Sequence, residues 1–247
     1  MRVIAAPQPA IHIVPPPPSP PSHPPGAFWK HPIATVLGGS LAAGGPAADI
    51  KRGADVLVAT IAILLAAPLI LGVALVLIAV ERQFPFFRDT RVGLEGAEFR
   101  CWKFQTMRGD WTVLARYLER NPDEARRYAE QRKLRADPRV TRIGRYLRVT
   151  SVDELPQLLN VLRGEMSLIG PRPLSIHEFE QRGWRRWQVV SIRPGISGLW
   201  QVSGRGTTSL RERAAMDAFY VRHGSLAMDL RIAWKTPLQV FRRVGAW

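Results

Sequence analysis

Cysteine is almost absent from this 247-residue sequence: Cys101 stands alone, so no intrachain disulfide can form and no cysteine-based zinc site can be assembled. A single thiol fits a domain facing a reducing compartment. Acidic residues are scarce as well. Twenty Asp and Glu stand against 35 Lys and Arg, for a formal net charge of +15 and a pI near 11.2. That imbalance asks for a polyanionic partner: nucleic acid, an anionic membrane face or a phosphorylated substrate. No nucleic-acid-binding signature accompanies the charge, so no nucleic acid partner is expected. The hydrophobic fraction of 46% excludes global disorder.

Residues 1–49 carry little charge and show no periodicity. Pro15-Pro16-Pro17-Pro18, Pro20-Pro21 and Pro24-Pro25 remove backbone donors and favour polyproline II, and Gly38, Gly39, Gly44 and Gly45 follow in a flexible stretch up to Asp49. A disordered leader is expected there, and no signal peptide, because no apolar stretch directly follows a basic start. Long apolar runs are missing elsewhere but not between Ala54 and Val80, where the only charge is Asp55 at the edge. About 20 apolar residues suffice to span a bilayer, and a soluble helix is seldom apolar on every face for so long. Pro68 at the midpoint removes one helical hydrogen bond and predicts a kink. Lys51 and Arg52 precede the run, while Arg82, Arg88 and Arg91 follow it, so basic flanks give no orientation. A kinked spanning helix and a helix that bends at Pro68 and returns to the same face both fit the pattern.

Residues 83–247 read as a soluble domain of mixed α+β class, mainly helical, with a small hairpin sheet. Phe84 to Val92 and Phe99 to Met107 are strand-like and joined by Gly93-Leu94-Glu95-Gly96. Asn121-Pro122-Asp123-Glu124 starts a helix that carries Arg126, Arg127, Arg132, Lys133 and Arg135. From Asp137 to Thr150 a short helix is expected, with Arg139, Arg142, Arg145 and Arg148 tracing a slanted stripe. The pair Asp153-Glu154 comes next. Ser151 to Glu154 matches a capping box, which alone accounts for acids at a helix start. A second reading uses the same helix N-terminus to bind phosphate and keep a carboxylate ionised. With Arg148 before it and Arg172 after it in Ile169-Gly170-Pro171-Arg172-Pro173, such a carboxylate can attack phosphorus. The neighbouring acid is then a natural oxygen ligand for Mg2+.

From Lys51 onward the chain resembles the bacterial sugar transferases, the monotopic polyprenyl-phosphate phosphoglycosyl transferases. The most specific stretch runs from Leu147 to Pro173 and contains Thr150-Ser151-Val152-Asp153-Glu154-Leu155-Pro156-Gln157-Leu158 and Ile169-Gly170-Pro171-Arg172-Pro173. Supporting matches are Lys51-Arg52 with Asp55, Arg91-Val92-Gly93, Lys103-Phe104-Gln105-Thr106-Met107 and Arg193-Pro194-Gly195-Ile196-Ser197-Gly198 through Arg205. The last block is similar to longer members that act in exopolysaccharide or O-antigen synthesis. The resemblance implies that Asp153 is the nucleophile on the sugar-linked phosphate of a UDP-sugar, giving a phosphosugar-aspartyl intermediate and UMP. It implies Glu154 as Mg2+ ligand, Arg148 and Arg172 as phosphate-binding residues, and Lys103 near the same site. Polyprenyl (undecaprenyl) phosphate then takes up the hexose 1-phosphate. The membrane run, residues 50–82, becomes a re-entrant helix hinged at Pro68, with the catalytic domain on the cytoplasmic face of the bacterial inner membrane. A homo-oligomer is compatible with this scheme, and a catalytically inactive scaffold of polysaccharide assembly is the rival to it. Departures from the family pattern are Ala67 for a usual Ser before the hinge proline, Phe84-Pro85 for Gly-Pro, and Gln105-Thr106 for Arg-Ser. Asp217, Tyr220, Asp229, Lys235 and Thr236 match positions that recur in the longer relatives, as a nucleotide-sugar pocket or as ties between the last helices. Trp184, Trp187, Trp200, Trp234 and Trp247 suit either a membrane interface or a core.

Overall fold

The computed structural model describes residues 46–131, 134, 136–182, 186–203 and 208–241. The expected leader up to residue 45, together with Arg132, Lys133, Arg135, Trp184, Arg205 and Trp247, lies outside the described residues. Helix α1 (Pro46–Val76) starts inside the stretch expected to be leader. Proline suits a first helical turn, where the missing N–H has no partner anyway, and Asp49 sits at the positive end of the dipole. The helix continues through Pro68 as one element and passes into a π-helical turn, Leu77–Glu81, which Arg82 ends in a left-handed conformation (φ 52°).

Together these 36 residues are long and apolar enough to cross a membrane. At 1.5 Å per residue they measure about 54 Å, well beyond a hydrocarbon core of about 30 Å. Yet both ends lie on the same body. Near the start, Arg52 donates to the carbonyls of Val161 and Leu162 at 2.7 and 3.1 Å, and Asp55 accepts from the Ser167 hydroxyl at 2.7 Å. Ala59, Ala62 and Ile63 pack with Leu158, Val161 and Met166. Toward the end, Ala74 and Leu77 pack with Phe104 and Leu147. Asp55, Ala59, Ile63, Ile70, Ala74 and Leu77 thus form one stripe at helical spacing, while Leu64, Leu65, Leu69 and Leu75 on other faces are exposed. A helix crossing the bilayer would deliver its ends to opposite faces and could not seat both on one polar-surfaced domain. The arrangement is monotopic.

The hairpin forms as the sequence predicts. Strands β1 (Phe86–Val92) and β2 (Glu98–Phe104) pair antiparallel, with Phe87 opposite Lys103 and Asp89 opposite Cys101. The turn uses left-handed backbone at Glu95 and Gly96. Helix α2 (Trp111–Arg120) follows, capped by Asp110 through the N–H groups of Thr112 and Val113, and then α3 (Pro122–Gln131). The next helix, α4, spans only Arg142–Val149, capped by Thr141. Arg139 lies before it, in a turn where it is bound to Asp137 at 2.6 Å, so the expected four-arginine stripe does not exist. Arg142 and Arg145 are exposed, and Arg148 turns inward.

A 3₁₀ helix, Val152–Gln157, leads into α5 (Leu158–Arg163). Asn160 is fully buried and fixes this pair beside β2: its side chain accepts from Trp102 N at 3.0 Å and donates to Arg100 O at 2.7 Å. Strand β3 (Ser167–Ile169) runs parallel to β4 (Gly195–Ser197); α6 (Ile176–Gln181) and α7 (Arg186–Val189) lie between them. Helices α8 (Leu199–Ser203), α9 (Leu210–His223) and α10 (Leu226–Phe241) complete the body. Tyr220 and Ile232 from the last two pack on Ile169 and Val202.

Gly195 and Gly170 let two backbones cross at the root of the Arg172 turn. Gly195 N donates to Pro171 O at 2.8 Å, Gly170 N donates to Ser197 O at 2.9 Å, and a Cβ on Gly195 would overlap the backbone of Gly170. No rotamer change relieves a backbone overlap. Gly195→Ala is therefore expected to cost about 1–3 kcal/mol of stability, read as a lowered urea midpoint in detergent; an unchanged midpoint would contradict the close crossing.

Candidate active site

The face of the hairpin turned toward the body carries, by strand alternation, Asp89 and Arg91 from β1 and Cys101 and Lys103 from β2. Against it lies the 3₁₀ helix with Asp153 and Glu154. From the far side comes the turn after β3, bearing Arg172. Together Arg91, Cys101, Lys103, Glu154, Arg172 and Gly195 line one small cleft.

Lys103 Nζ donates to Glu154 Oε1 at 3.1 Å, and Arg172 Nη1 lies 3.9 Å from the same oxygen. Arg172 is half-buried, and although burial works against its charge, Glu154 and Glu178 raise its pKa. Arg148 donates through Nε to the Thr106 hydroxyl at 2.9 Å. Burial lowers its pKa, while Asp153 and Asp137 act in the opposite direction. The sequence therefore identifies Asp153, Glu154, Lys103, Arg148 and Arg172 as one cluster, and the fold brings them together from four elements. Thr106, a departure from the family pattern, keeps the hydroxyl that holds Arg148. Gln105, the other departure, turns its amide to Met107 O at 2.6 Å.

Two details differ from the expected capping box. Ser151 adopts a left-handed conformation (φ 57°) and its side chain caps nothing. The turn is 3₁₀ because Pro156 comes too early for an α-helix beginning at Val152: its ring would strike the Val152 carbonyl. Nor does a helix dipole keep Asp153 ionised below its usual range. Burial, reinforced by the negative charge of Glu154, pushes its pKa up to about 6, against the pull of Lys103, Arg148 and Arg172. The Cys101 thiol is also pushed up by burial, to about 11, and is no nucleophile at neutral pH.

Arg91 is the wall residue to which sequence analysis gave no role. It binds Asp89, reaches Pro173 O at 3.3 Å and lies 3.6 Å from Glu178, thereby bracing the Arg172 turn. Its place on the Lys103 face was readable from the period of two. Of the C-terminal positions, Asp217, Tyr220 and Asp229 are buried in the body, Thr236 meets the Ser197 hydroxyl at 2.7 Å, and Lys235 is exposed. Trp200 is buried under Arg213, Trp187 packs edge-on against Phe179, and Trp234 is exposed.

Among the described residues no three His, Cys, Asp or Glu side chains gather as a metal site. Two adjacent carboxylates nevertheless suit a magnesium ion, which takes one or two protein carboxylates and completes its shell with water and substrate phosphate. The mutual repulsion of Asp153 and Glu154 is what such a cation relieves.

A model of the family described as bacterial sugar transferase matches residues 47–243. The exopolysaccharide production protein ExoY of Rhizobium meliloti is 44% identical over 188 residues, covering 75% of this chain and 83% of that protein. A UDP-glucose:undecaprenyl-phosphate glucose-1-phosphate transferase of Caulobacter vibrioides is 42% identical over 230 residues, with 85% and 80% coverage. The undecaprenyl-phosphate galactose phosphotransferase of Salmonella typhimurium is 37% identical over 199 residues; the match covers 80% of this chain but 42% of that longer protein.

Because the pKa of Asp153 is raised in the folded state, its proton is held more tightly there than in the unfolded chain, and stability falls as pH rises from about 4 through about 6. Asp153→Asn removes that loss. In magnesium-free buffer the variant is expected to melt higher than wild type at pH 8, with most of the gain gone by pH 4.5. An equal shift at both pH values would contradict the desolvated carboxylate.

Proposed function

The chain belongs to the bacterial sugar transferase family, and from that footing we propose that it transfers a hexose 1-phosphate from a UDP-sugar to undecaprenyl phosphate, releasing UMP. The observation that carries the reading is the half-buried Asp153 set among Lys103, Arg148 and Arg172 with Glu154 beside it. Three cations around two carboxylates leave one positive charge over, which suits a carboxylate that must approach a diphosphate.

Above its raised pKa, Asp153 is ionised and poorly hydrated, which leaves its oxygen available as a nucleophile. That oxygen attacks the phosphorus bonded to the sugar; the bond to the UMP phosphate breaks, and its electron pair leaves with UMP. Arg172 and Lys103, both tied to Glu154, hold the equatorial oxygens, while Arg148 faces Asp153. An oxygen of the lipid phosphate then attacks the same phosphorus, and the Asp153 carboxylate departs. The products are a polyprenyl-diphosphate sugar and the free enzyme, so protons and electrons balance without another reactant. Magnesium, held on the Glu154 side, would screen the diphosphate charge during both steps.

The membrane helix serves the second step. Both its ends rest on the catalytic body, so the cleft stays near the bilayer surface, where the phosphate of a polyprenyl lipid resides. We place that surface on the cytoplasmic side of the inner membrane, where UDP-sugars are found, with Pro68 as the hinge of the re-entrant segment. The relatives named for galactose and glucose transfer make UDP-galactose and UDP-glucose the first donors to try.

UMP release from a panel of UDP-sugars, measured with purified protein, undecaprenyl phosphate and Mg2+, tests the proposal. Wild type is expected to turn over with at least one donor only when lipid is present, and Asp153→Asn to lose turnover. Silence with every donor, from protein shown to be folded, would sink the reaction and bring the inactive scaffold forward.

A further inference from the structure

Three acidic residues are buried in the described core, and none belongs to the cleft: Asp55 at 6% exposure, Asp229 at 8% and Asp217 at 1%. They come from α1, α10 and α9, yet they converge on one short segment, Ser167 to Arg172. Asp55 accepts the Ser167 hydroxyl at 2.7 Å and the Leu168 N–H at 3.2 Å. Asp229 accepts the Tyr220 hydroxyl, whose oxygen also lies 3.3 Å from Ile169 O, and its second oxygen accepts Lys51 Nζ at 2.6 Å. Asp217 accepts Arg182 through both terminal nitrogens at 3.3 Å and faces the backbone N–H of Arg172.

Stability alone does not account for this. A buried ion pair is often no better than well-packed apolar residues of the same volume, because desolvation offsets the attraction. What buried, hydrogen-bonded acids do provide is a fixed position for the groups they hold. The segment needs it: β3 has three residues, and the turn after it contains Pro171 and Pro173, which donate no backbone hydrogen bonds.

We propose that Asp217 is a positioning residue which, with Asp55 and Asp229, fixes the Ser167–Arg172 segment and thereby places the Arg172 guanidinium beside Glu154. Arg182 keeps Asp217 paired, and the backbone contact passes that order to Arg172. Two of the three acids are tied to α1, one as part of that helix and one through Lys51. Seating of the membrane helix and placement of the phosphate-binding arginine therefore belong to one hydrogen-bonded unit. The catalytic consequence rests on the reading of Arg172 as a diphosphate ligand; the structural clamp does not.

A double-mutant cycle separates positioning from general damage. Asp217→Ala in the full chain is expected to lower kcat/KM for the UDP-sugar on the order of 10- to 100-fold, as misplacement of a binding group by about an ångström does, with KM for the lipid phosphate unchanged. In an Arg172→Ala background the same change should cost less than about twofold, since the residue it places is gone. Asp217→Asn keeps an oxygen for the Arg172 N–H and should recover part of the loss; it also runs the cycle should the alanine variant not fold. Equal losses in both backgrounds, or a wild-type Asp217→Ala, would overturn the proposal.

Deuterium exchange supplies a readout that needs no substrate. In the Asp217 variants the amides of residues 167–174 are expected to exchange faster than in wild type, while those of β1 and β2 stay unchanged. Unchanged exchange in the segment contradicts the clamp, even if wild type transfers no sugar at all, which instead would remove the proposed reaction.

Discussion

Asp153 and Glu154 are consecutive carboxylates held out of bulk water, and their repulsion is the constraint around which the catalytic body is arranged. Adjacent acids of this kind are stable only if cations reach them from elements other than their own. Lys103 arrives on the hairpin, Arg148 on α4 and Arg172 on the turn after β3. Each delivery has its own support: Asn160 locks the 3₁₀ helix and α5 to β2, Thr106 holds Arg148, and Gly170 and Gly195 bring the Arg172 turn close. The cations do not restore an ordinary carboxylate, since burial still leaves Asp153 at about 6. The outcome is a carboxylate that is charged at neutral pH but poorly solvated, the state that the proposed attack on phosphorus requires.

Membrane attachment and chemistry share residues rather than being joined by a linker. Helix α1 contributes Ala59 and Ile63 to the core that includes Phe99 and Cys101, and Ala74 and Leu77 to the one that includes Phe104. The hairpin that supplies the cleft wall is therefore packed against the membrane helix on both of its faces. Its remaining faces present leucines such as Leu64, Leu65 and Leu69, which are exposed among the described residues. Burial of those side chains in lipid would stabilise the arrangement in which α1 packs against the cleft wall.

Local signals in the sequence were read correctly where one rule dominated. The Gly93–Gly96 turn set the hairpin, Asn121-Pro122 set the start of α3, and the long apolar run set α1. Signals failed where two rules competed at the same residues. Ser151 to Glu154 satisfied the capping pattern, but Pro156 four residues beyond Val152 forbade the α-helix that the pattern implied. Arg139 shared the spacing of Arg142, Arg145 and Arg148, but Asp137 two residues earlier captured it in a turn. Helix α2 passed unnoticed although Asp110 preceded apolar residues at helical spacing, Leu114, Tyr117 and Leu118, that fit a capped amphipathic helix. The candidate site was legible as a set of residue types, and the resemblance assigned their roles. Its supports were not, because contacts such as Asp55 with Ser167 join residues 112 positions apart.

The central claim is that Asp153 carries the phosphosugar between two substrates. Isotope exchange tests it without the lipid: labelled UMP and an accepted unlabelled UDP-sugar are incubated with enzyme and Mg2+ but no polyprenyl phosphate. A covalent aspartyl intermediate predicts label appearing in the UDP-sugar with wild type and none with Asp153→Asn. Transfer to lipid without any such exchange would contradict the intermediate and require direct attack by the lipid phosphate.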